Sequence, residues 1–255
     1  MWIFKQWHLS PSINTKDASP VPAPPQEKNQ TAIYRQLDRW IREQSLKEIY
    51  AEGCSGELKS DSGVSFNGWK IADLKKVSDK ESYPGILTSV PLKLEAKYGG
   101  SLHVKCGDDE ALVRENNLAF SDARGAIGFM TRLSQYKDDP ERVKIYLDGA
   151  IEAYKMQRNT TVSEAISRTK AELRKAIERV RSAIDRRNKR LFDAIRASHE
   201  KDVAVVFGGM HAAGLANLLK QEKLSCAVIE PVGYQDDEEK LMARLTEELD
   251  ALSAD

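Results

Sequence analysis

Short apolar runs alternate with amphipathic stretches along the chain, and each predicts one element. Met1–Phe4 and Val203–Val206 are nearly continuous apolar runs, as is typical of strands buried on both faces. Apolar residues recurring every four positions predict a helix over about 30–44, with a stripe formed by Ile33, Leu37 and Ile41. Further short strands are predicted at 47–52, 102–104 and 224–229. The alternation of strand and helix predicts an α/β fold, with a mixed, largely parallel sheet flanked by helices.

A long helical region is predicted between residues 110 and 197. Within its second half, apolar residues at seven-residue spacing form two neighbouring rows: Ile166, Leu173 and Val180 in one, and Ile177, Ile184 and Leu191 in the other. Two such rows are typical of a buried, coiled-coil-like seam. We therefore expect one α/β domain over residues 1–255, with a helical insertion at 110–197.

The next position in the first row, at the same seven-residue spacing, is Arg187. A charged residue therefore interrupts the apolar row. A charged side chain on a buried stripe is costly unless it is paired. Arg187 is therefore expected either to extend its charged end to the edge of the seam or to point into a polar site.

Composition narrows the classes of function. Lys and Arg together number 39, equal to Asp and Glu, and this zero net charge gives no support for nucleic-acid binding. The sequence has no apolar run of membrane-spanning length and no visible signal peptide, so we expect a cytoplasmic protein, or an extracytoplasmic one if an upstream segment is missing. Three scattered cysteines argue against a disulfide scaffold or a structural zinc site.

The segment Gly208-Gly209-Met210-His211 follows a predicted strand and opens a predicted helix. Gly208 and Gly209 allow a tight turn and leave room for a ligand, at the sheet edge where open α/β folds bind ligands. The alternative for His211 is a turn histidine that caps the helix. His8 also follows a predicted strand closely, and Glu52 terminates another. Imidazole and carboxylate together suit zinc, manganese, iron or cobalt.

Four other acidic residues rank lower as candidates. Asp108 and Asp109 follow the strand at 102–104, but acidic residues in a Gly-Asp-Asp segment are more often turn residues. Glu57 and Glu230 are second-rank acids, and Glu230 directly follows the predicted strand at 224–229.

The order of these motifs resembles the Tiki/TraB superfamily, which also includes haem-binding ChaN-like proteins and erythromycin-esterase-like hydrolases. That superfamily has a GxxH motif after its first strand, a glutamate after its second, a basic residue in a long helix, and a second GxxH motif. The second GxxH is intact here at 208–211, Glu52-Gly53 supplies the glutamate, and Arg187-Asn188 supplies the helix pair. In the first motif, Lys5-Gln6-Trp7-His8, the histidine is kept and lysine replaces the glycine.

The resemblance implies a metal-dependent hydrolase of the peptidase or esterase type, acting on a small-molecule or peptide substrate. The divalent ion (Mn, Co, Zn or Fe) would be held by His8, Glu52 and His211. Arg187 would stabilise an oxyanion or anchor a substrate carboxylate, and Gln6 and Asn188 would orient ligands. Without a metal, a histidine oriented by Glu52 would act as general base.

Two alternatives stay open at this point. The first is a non-catalytic protein that binds haem, a metal or a small anion, with Lys5 in the anion pocket. The second is a catalytically inactive scaffold, in which the apolar rows of the long helix bind a partner or form a homodimer.

Overall fold

The computed structural model describes residues 1–7, 24–44, 46–53, 65–66, 69–70, 90–236, 239–240, 243–244 and 247. Among the predicted site residues, His8 and the second-rank acid Glu57 lie outside these ranges. Their predicted roles therefore stay predictions.

A five-stranded parallel sheet forms the centre of the fold. Its strands are β1 (Trp2–Gln6), β2 (Glu48–Ala51), β5 (His103–Cys106), β6 (Val203–Gly208) and β7 (Ala227–Ile229), in the order β5-β2-β6-β1-β7. A separate antiparallel pair joins β3 (Ser65–Phe66) to β4 (Trp69–Lys70). The α/β class is confirmed. The sheet is parallel throughout, where a partly mixed one was expected, and β6 lies between β1 and β2.

The described helices are α1 (Pro24–Gln44), α2 (Val90–Tyr98), α3 (Glu110–Gln135), α4 (Pro140–Ala153), α5 (Val162–Arg196) and α6 (Gly209–Gln221). Helix α1 begins at Pro24, well before the predicted start at about residue 30. A proline is tolerated in the first turn because its missing N–H has no partner within the helix there. Three helices, α3 to α5, occupy the region where a long helical stretch was predicted.

Both faces of the sheet are covered by helices. Alternate strand residues such as Phe4, Ile49 and Val206 pack in a core with α1 and α2. Residues of the opposite parity, such as Val205 and Phe207, pack in a second core with α5 and α6. Because side chains alternate between faces along a strand, two covered faces require the nearly continuous apolar runs seen in the sequence.

The chain divides into two compact units. The first comprises Met1–Val113 and Asp185–Lys240 and contains the sheet; the second comprises Arg114–Ile184 and the C-terminal residues. In the second unit, Leu173 and Ile177 pack against alanines of α3. In the first unit, Leu191 lies in the core beside α6. Five of the six residues in the apolar rows are buried and Ile166 is half-buried, which removes the observation that favoured a homodimer.

The cysteines differ in state. Cys106, the last residue of β5, is disulfide-bonded, whereas Cys226 is free and half-buried. In the described parts of the chain, every helix is too short or too polar to cross a membrane.

Candidate functional site

A cluster of buried polar side chains lies at the carboxyl edge of the sheet, entirely within the first unit. We call it the polar cluster; its members are Glu52, Asp108, Arg187, Asn188 and His211. At most 9% of any of these residues is exposed. Two of them follow the ends of β2 and β5, two lie on α5, and one lies in the first turn of α6. The edge is the one at which α/β sheets place ligands.

Arg187 forms the centre of the polar cluster. Its Nη2 donates to Glu52 Oε1 and to Asp108 Oδ2, each at 2.6 Å, and its Nε donates to Asp108 Oδ1 at 2.8 Å. Burial alone would lower the pKa of Arg187, but the two carboxylates outweigh it and hold that pKa above its usual range. Of the two sequence-based alternatives, the structure shows the second: Arg187 points into a polar site.

Glu52 connects three elements at this edge. One carboxylate oxygen accepts from Arg187 on α5, and the other accepts from the backbone N–H of Gly208 at the end of β6. The second contact is possible because β2 and β6 are neighbouring parallel strands that end together. Both oxygens of Glu52 are therefore already engaged with donors.

Asp108, a lower-ranked candidate from the sequence, belongs to the polar cluster. Its Oδ2 accepts from the N–H of Gly53 at 3.0 Å in addition to its bonds to Arg187, so it ties the ends of β2 and β5 together. Asp109 has the role expected of a turn residue, since its Oδ1 accepts from the first backbone N–H groups of α3. The signal that distinguished Asp108 was its position two residues after a strand end, at the same edge as Glu52.

Asn188 orients His211. The Oδ1 of Asn188 lies 2.8 Å from Nδ1 of His211, and since an amide oxygen only accepts, Nδ1 carries the hydrogen. In the neutral ring, Nε2 then holds a lone pair. It is buried, has no hydrogen-bond partner among the described residues, and lies 3.4 Å from Glu52 Oε1. The helix cap is Gly208 and makes no side-chain cap bond, so the capping alternative for His211 is wrong.

Gly214, which sequence reasoning missed, allows this orientation. A methyl group at Gly214 would lie 2.4 Å from Nδ2 of Asn188, closer than real side chains approach. Gly214, one helical turn after His211, must therefore be a glycine for the Asn188 amide to face the imidazole.

Gly208 and Gly209 of the GxxH segment were predicted to leave room for a ligand, but the structure gives them other roles. Gly208 donates its N–H to Glu52, as described above. A methyl group at Gly209 would lie 1.5 Å from the hydroxyl oxygen of Tyr234. The room that Gly209 was expected to leave for a ligand is occupied by this tyrosine.

Lys5 does not form the predicted anion pocket. Its ammonium lies 3.3 Å from Glu230 and 3.0 Å from Glu239, which offset its charge. Burial alone would lower the pKa of Lys5, but these carboxylates raise it above its ordinary value. Gln6 is buried opposite Gly208 in the strand register, so it lies beside the GxxH motif at the end of β1.

Two buried amides on α1, Asn29 and Gln30, were also missed. Asn29 accepts from the N–H of Trp7 and donates to the carbonyl of Lys5, and Gln30 donates to the carbonyl of Trp7. They hold the backbone that leads from β1 towards His8. In the sequence, the position of Asn29 and Gln30 inside an amphipathic helix is the only signal that could have indicated this role.

Glu52 and His211 have the spacing of two ligands of a divalent ion. Glu52 Oε1 and His211 Nε2 are 3.4 Å apart. Two ligands of a tetrahedral ion with bonds of about 2.0–2.1 Å are separated by about 3.4 Å, so this pair fits. The described residues contain no group of three or more candidate ligands, and the third predicted ligand, His8, lies outside them.

No protein-family model, curated protein or solved structure matches this chain. The resemblance to the Tiki/TraB superfamily therefore stays a prediction from short motifs.

Proposed function

We propose that this protein is a hydrolase of the peptidase or esterase type, with His211 as its reacting group and Glu52 beside it. The observation that carries the proposal is the buried Nε2 of His211, which has no hydrogen-bond partner among the described residues while Nδ1 is held by Asn188. A buried polar atom without a partner costs about 1–3 kcal/mol. Such an atom, in a fixed orientation at a ligand-binding edge, is typical of a functional group.

In the proposed reaction, Nε2 of His211 takes a proton from a water molecule as the water oxygen bonds to the substrate's carbonyl carbon. The protonated ring then directs its new N–H towards Glu52 Oε1, 3.4 Å away. As the bond to the leaving oxygen or nitrogen breaks, Nε2 returns the proton to that atom. Asn188 keeps the ring in one tautomer throughout.

The charges of the polar cluster support this proton transfer. Two carboxylates face one guanidinium, which leaves one negative charge in excess while the imidazole is neutral. Glu52 carries one of these carboxylates, and its Oε1 lies 3.4 Å from Nε2, the atom that receives the proton. The described nitrogen contacts of Arg187 go to these carboxylates, so we assign it to positioning Glu52 instead of contacting substrate.

A metal-dependent form of the same reaction is the second candidate. The 3.4 Å separation of Glu52 Oε1 and His211 Nε2 favours it, and His8 would complete the ligand set. Manganese, cobalt, zinc or iron would supply a bound water of lowered pKa. The engagement of both Glu52 oxygens with other donors favours direct acid–base chemistry over this form.

Hydrolysis of p-nitrophenyl acetate and of a fluorogenic peptide library by the full chain tests the proposal. We expect His211→Ala to lower kcat by about 10²-fold or more, while the melting temperature shows a folded protein. His199→Ala, at an exposed histidine, is the matched control and should leave the rate unchanged. Full turnover in His211→Ala would refute the assignment. Metal content measured by mass spectrometry, with and without His8→Ala, distinguishes the two forms of the reaction.

A further inference from the structure

Tyr234 reaches the carboxyl edge of the sheet through a tight turn. Strand β7 ends at Ile229, and the N–H of Tyr234 then donates to the carbonyl of Pro231 at 3.0 Å. Gly233 has a φ of 89°, which is the left-handed conformation that the third position of a type II turn requires. The turn therefore depends on a glycine, and it brings the tyrosine back towards β1 and β6.

The phenol group of Tyr234 lies against the first residue of α6. A methyl group at Gly209 would lie 1.5 Å from the hydroxyl oxygen and 2.5 Å from Cζ. Gly209 is not among the glycines with a positive φ, so its backbone conformation does not require glycine. The close approach of Tyr234 does require it. The hydroxyl is thus held at the same helical turn that carries His211.

Lys5 fixes the ring from the neighbouring strand. Its Nζ lies 5.1 Å from the centroid of the Tyr234 ring, within the range of a cation–π contact. Glu230 and Glu239 hold the ammonium group in turn. Lys5 therefore contacts the same ring whose hydroxyl lies at Gly209.

The amino end of a helix is the place where a phenol can assist carbonyl chemistry. Backbone N–H groups of the first turn lack partners within the helix, and the helix dipole makes this end positive. A phenolic oxygen can accept a hydrogen bond and donate its own hydrogen at the same time. A donor fixed at this position stabilises the oxygen of a carbonyl group as negative charge develops on it.

We infer that Tyr234 is a further residue of the proposed active site, and that its hydroxyl donates a hydrogen bond to the carbonyl oxygen of the substrate. The inference deepens the proposed function and rests on it. It makes the substrate a carbonyl compound whose oxygen lies at the amino end of α6 while its carbon faces His211.

Two measurements on the full chain test this role: the kinetics of p-nitrophenyl acetate hydrolysis, and the binding of phenylphosphonate, a tetrahedral anion, by isothermal titration calorimetry. Tyr234→Phe removes only the hydroxyl. We expect kcat to fall 10- to 100-fold with KM changed less than twofold, and the Kd of phenylphosphonate to rise at least fivefold. The melting temperature should stay that of the unmodified chain, since the ring and its contact with Lys5 are retained.

The matched control is Tyr146→Phe, at a half-buried tyrosine of the second unit whose ring has Arg132 at 5.7 Å. It should change neither measurement. Gly209→Ala should reproduce the kinetic defect by displacing the hydroxyl, and adding Tyr234→Phe to it should cause no further loss. A merely structural contact would instead lower the melting temperature in both variants and leave kcat unchanged.

The outcomes separate the inference from the proposed function. Unchanged kcat and unchanged phosphonate affinity in Tyr234→Phe would overturn the inference while leaving the role of His211 standing. If the unmodified chain binds phenylphosphonate through Tyr234 but hydrolyses no substrate, the hydrolase proposal fails and Tyr234 remains an oxygen-binding residue. Absence of both binding and hydrolysis in the unmodified chain would overturn both.

Discussion

Replacing Arg187 by methionine is the sharpest perturbation of the polar cluster. Methionine has a similar length and no charge, so Arg187→Met removes the hydrogen bonds to Glu52 and Asp108 with little change in volume. Both carboxylates then remain buried, at 9% and 2% exposure, without their common cation. Because removing one partner of a buried ion pair leaves an uncompensated charge, we expect a loss of about 3–5 kcal/mol in the free energy of unfolding.

Tryptophan fluorescence is a selective assay for this loss. All four tryptophans, Trp2, Trp7, Trp40 and Trp69, fall within residues 1–113, and the second unit has none. Thermal unfolding followed by fluorescence therefore reports on the unit that contains the polar cluster. For a unit of this size, the expected loss corresponds to a decrease in melting temperature of roughly 6–20 °C.

Two further variants test whether uncompensated carboxylates cause the loss of stability. Arg186→Met is the control, because Arg186 is exposed on the same helix, and it should shift the melting temperature by no more than about 2 °C. Adding Asp108→Asn to Arg187→Met removes one uncompensated charge and should restore part of the stability. If Arg187→Met behaves like the control, or the double variant recovers nothing, unpaired buried carboxylates are not the cause and the account of the cluster is wrong.

Three other predictions concern smaller perturbations. Gly214→Ala should displace Asn188 and lower the proposed hydrolysis about tenfold or more, measured as kcat; an unchanged rate would contradict the orienting role. Gly149→Ala, where an added methyl meets nothing within 4 Å on α4, should raise the unfolding free energy by about 0.5–1 kcal/mol in chemical denaturation. Burial alone would raise the pKa of Asp38, but hydrogen bonds, that of Lys97 the largest, hold it below its ordinary value of 3.8. Ionised Asp38 therefore stabilises the folded chain above pH 3.8, and this stabilisation is lost as the pH falls through the lower pKa of the folded state. Asp38→Asn should lower the free energy of unfolding at pH 7, and its difference from the unmodified chain should shrink below about pH 4. A difference in unfolding free energy that does not change with pH would refute this role of Asp38.

Local patterns in the sequence were sufficient for the elements of the fold. The strands β2, β5 and β6 follow the predictions closely, because each depends on apolar spacing within a few positions. The start of α1 did not follow, because prolines normally read as loop residues although the first helical turn accepts them.

The sequence was also sufficient to single out most of the polar cluster. The GxxH segment indicated His211, the strand end indicated Glu52, and the broken apolar row indicated Arg187. It did not indicate Asp108 as the partner of Arg187 or Tyr234 as the neighbour of Gly209. A turn acid and a tail tyrosine carry no local signal that distinguishes them from ordinary surface residues.

By itself, then, the sequence determined the α/β class, the apolar strands and helices, and the residue types that can do chemistry at the strand ends. Only the tertiary structure decided that β6 lies between β1 and β2, and that this order places Gly208 beside Glu52, 156 positions away in the chain. It likewise decided the pairing of Arg187 with Asp108 across 79 positions. The physical reason is range: helix and strand periodicity act between near neighbours, whereas strand order and buried charge pairing depend on contacts that form only when distant segments pack together.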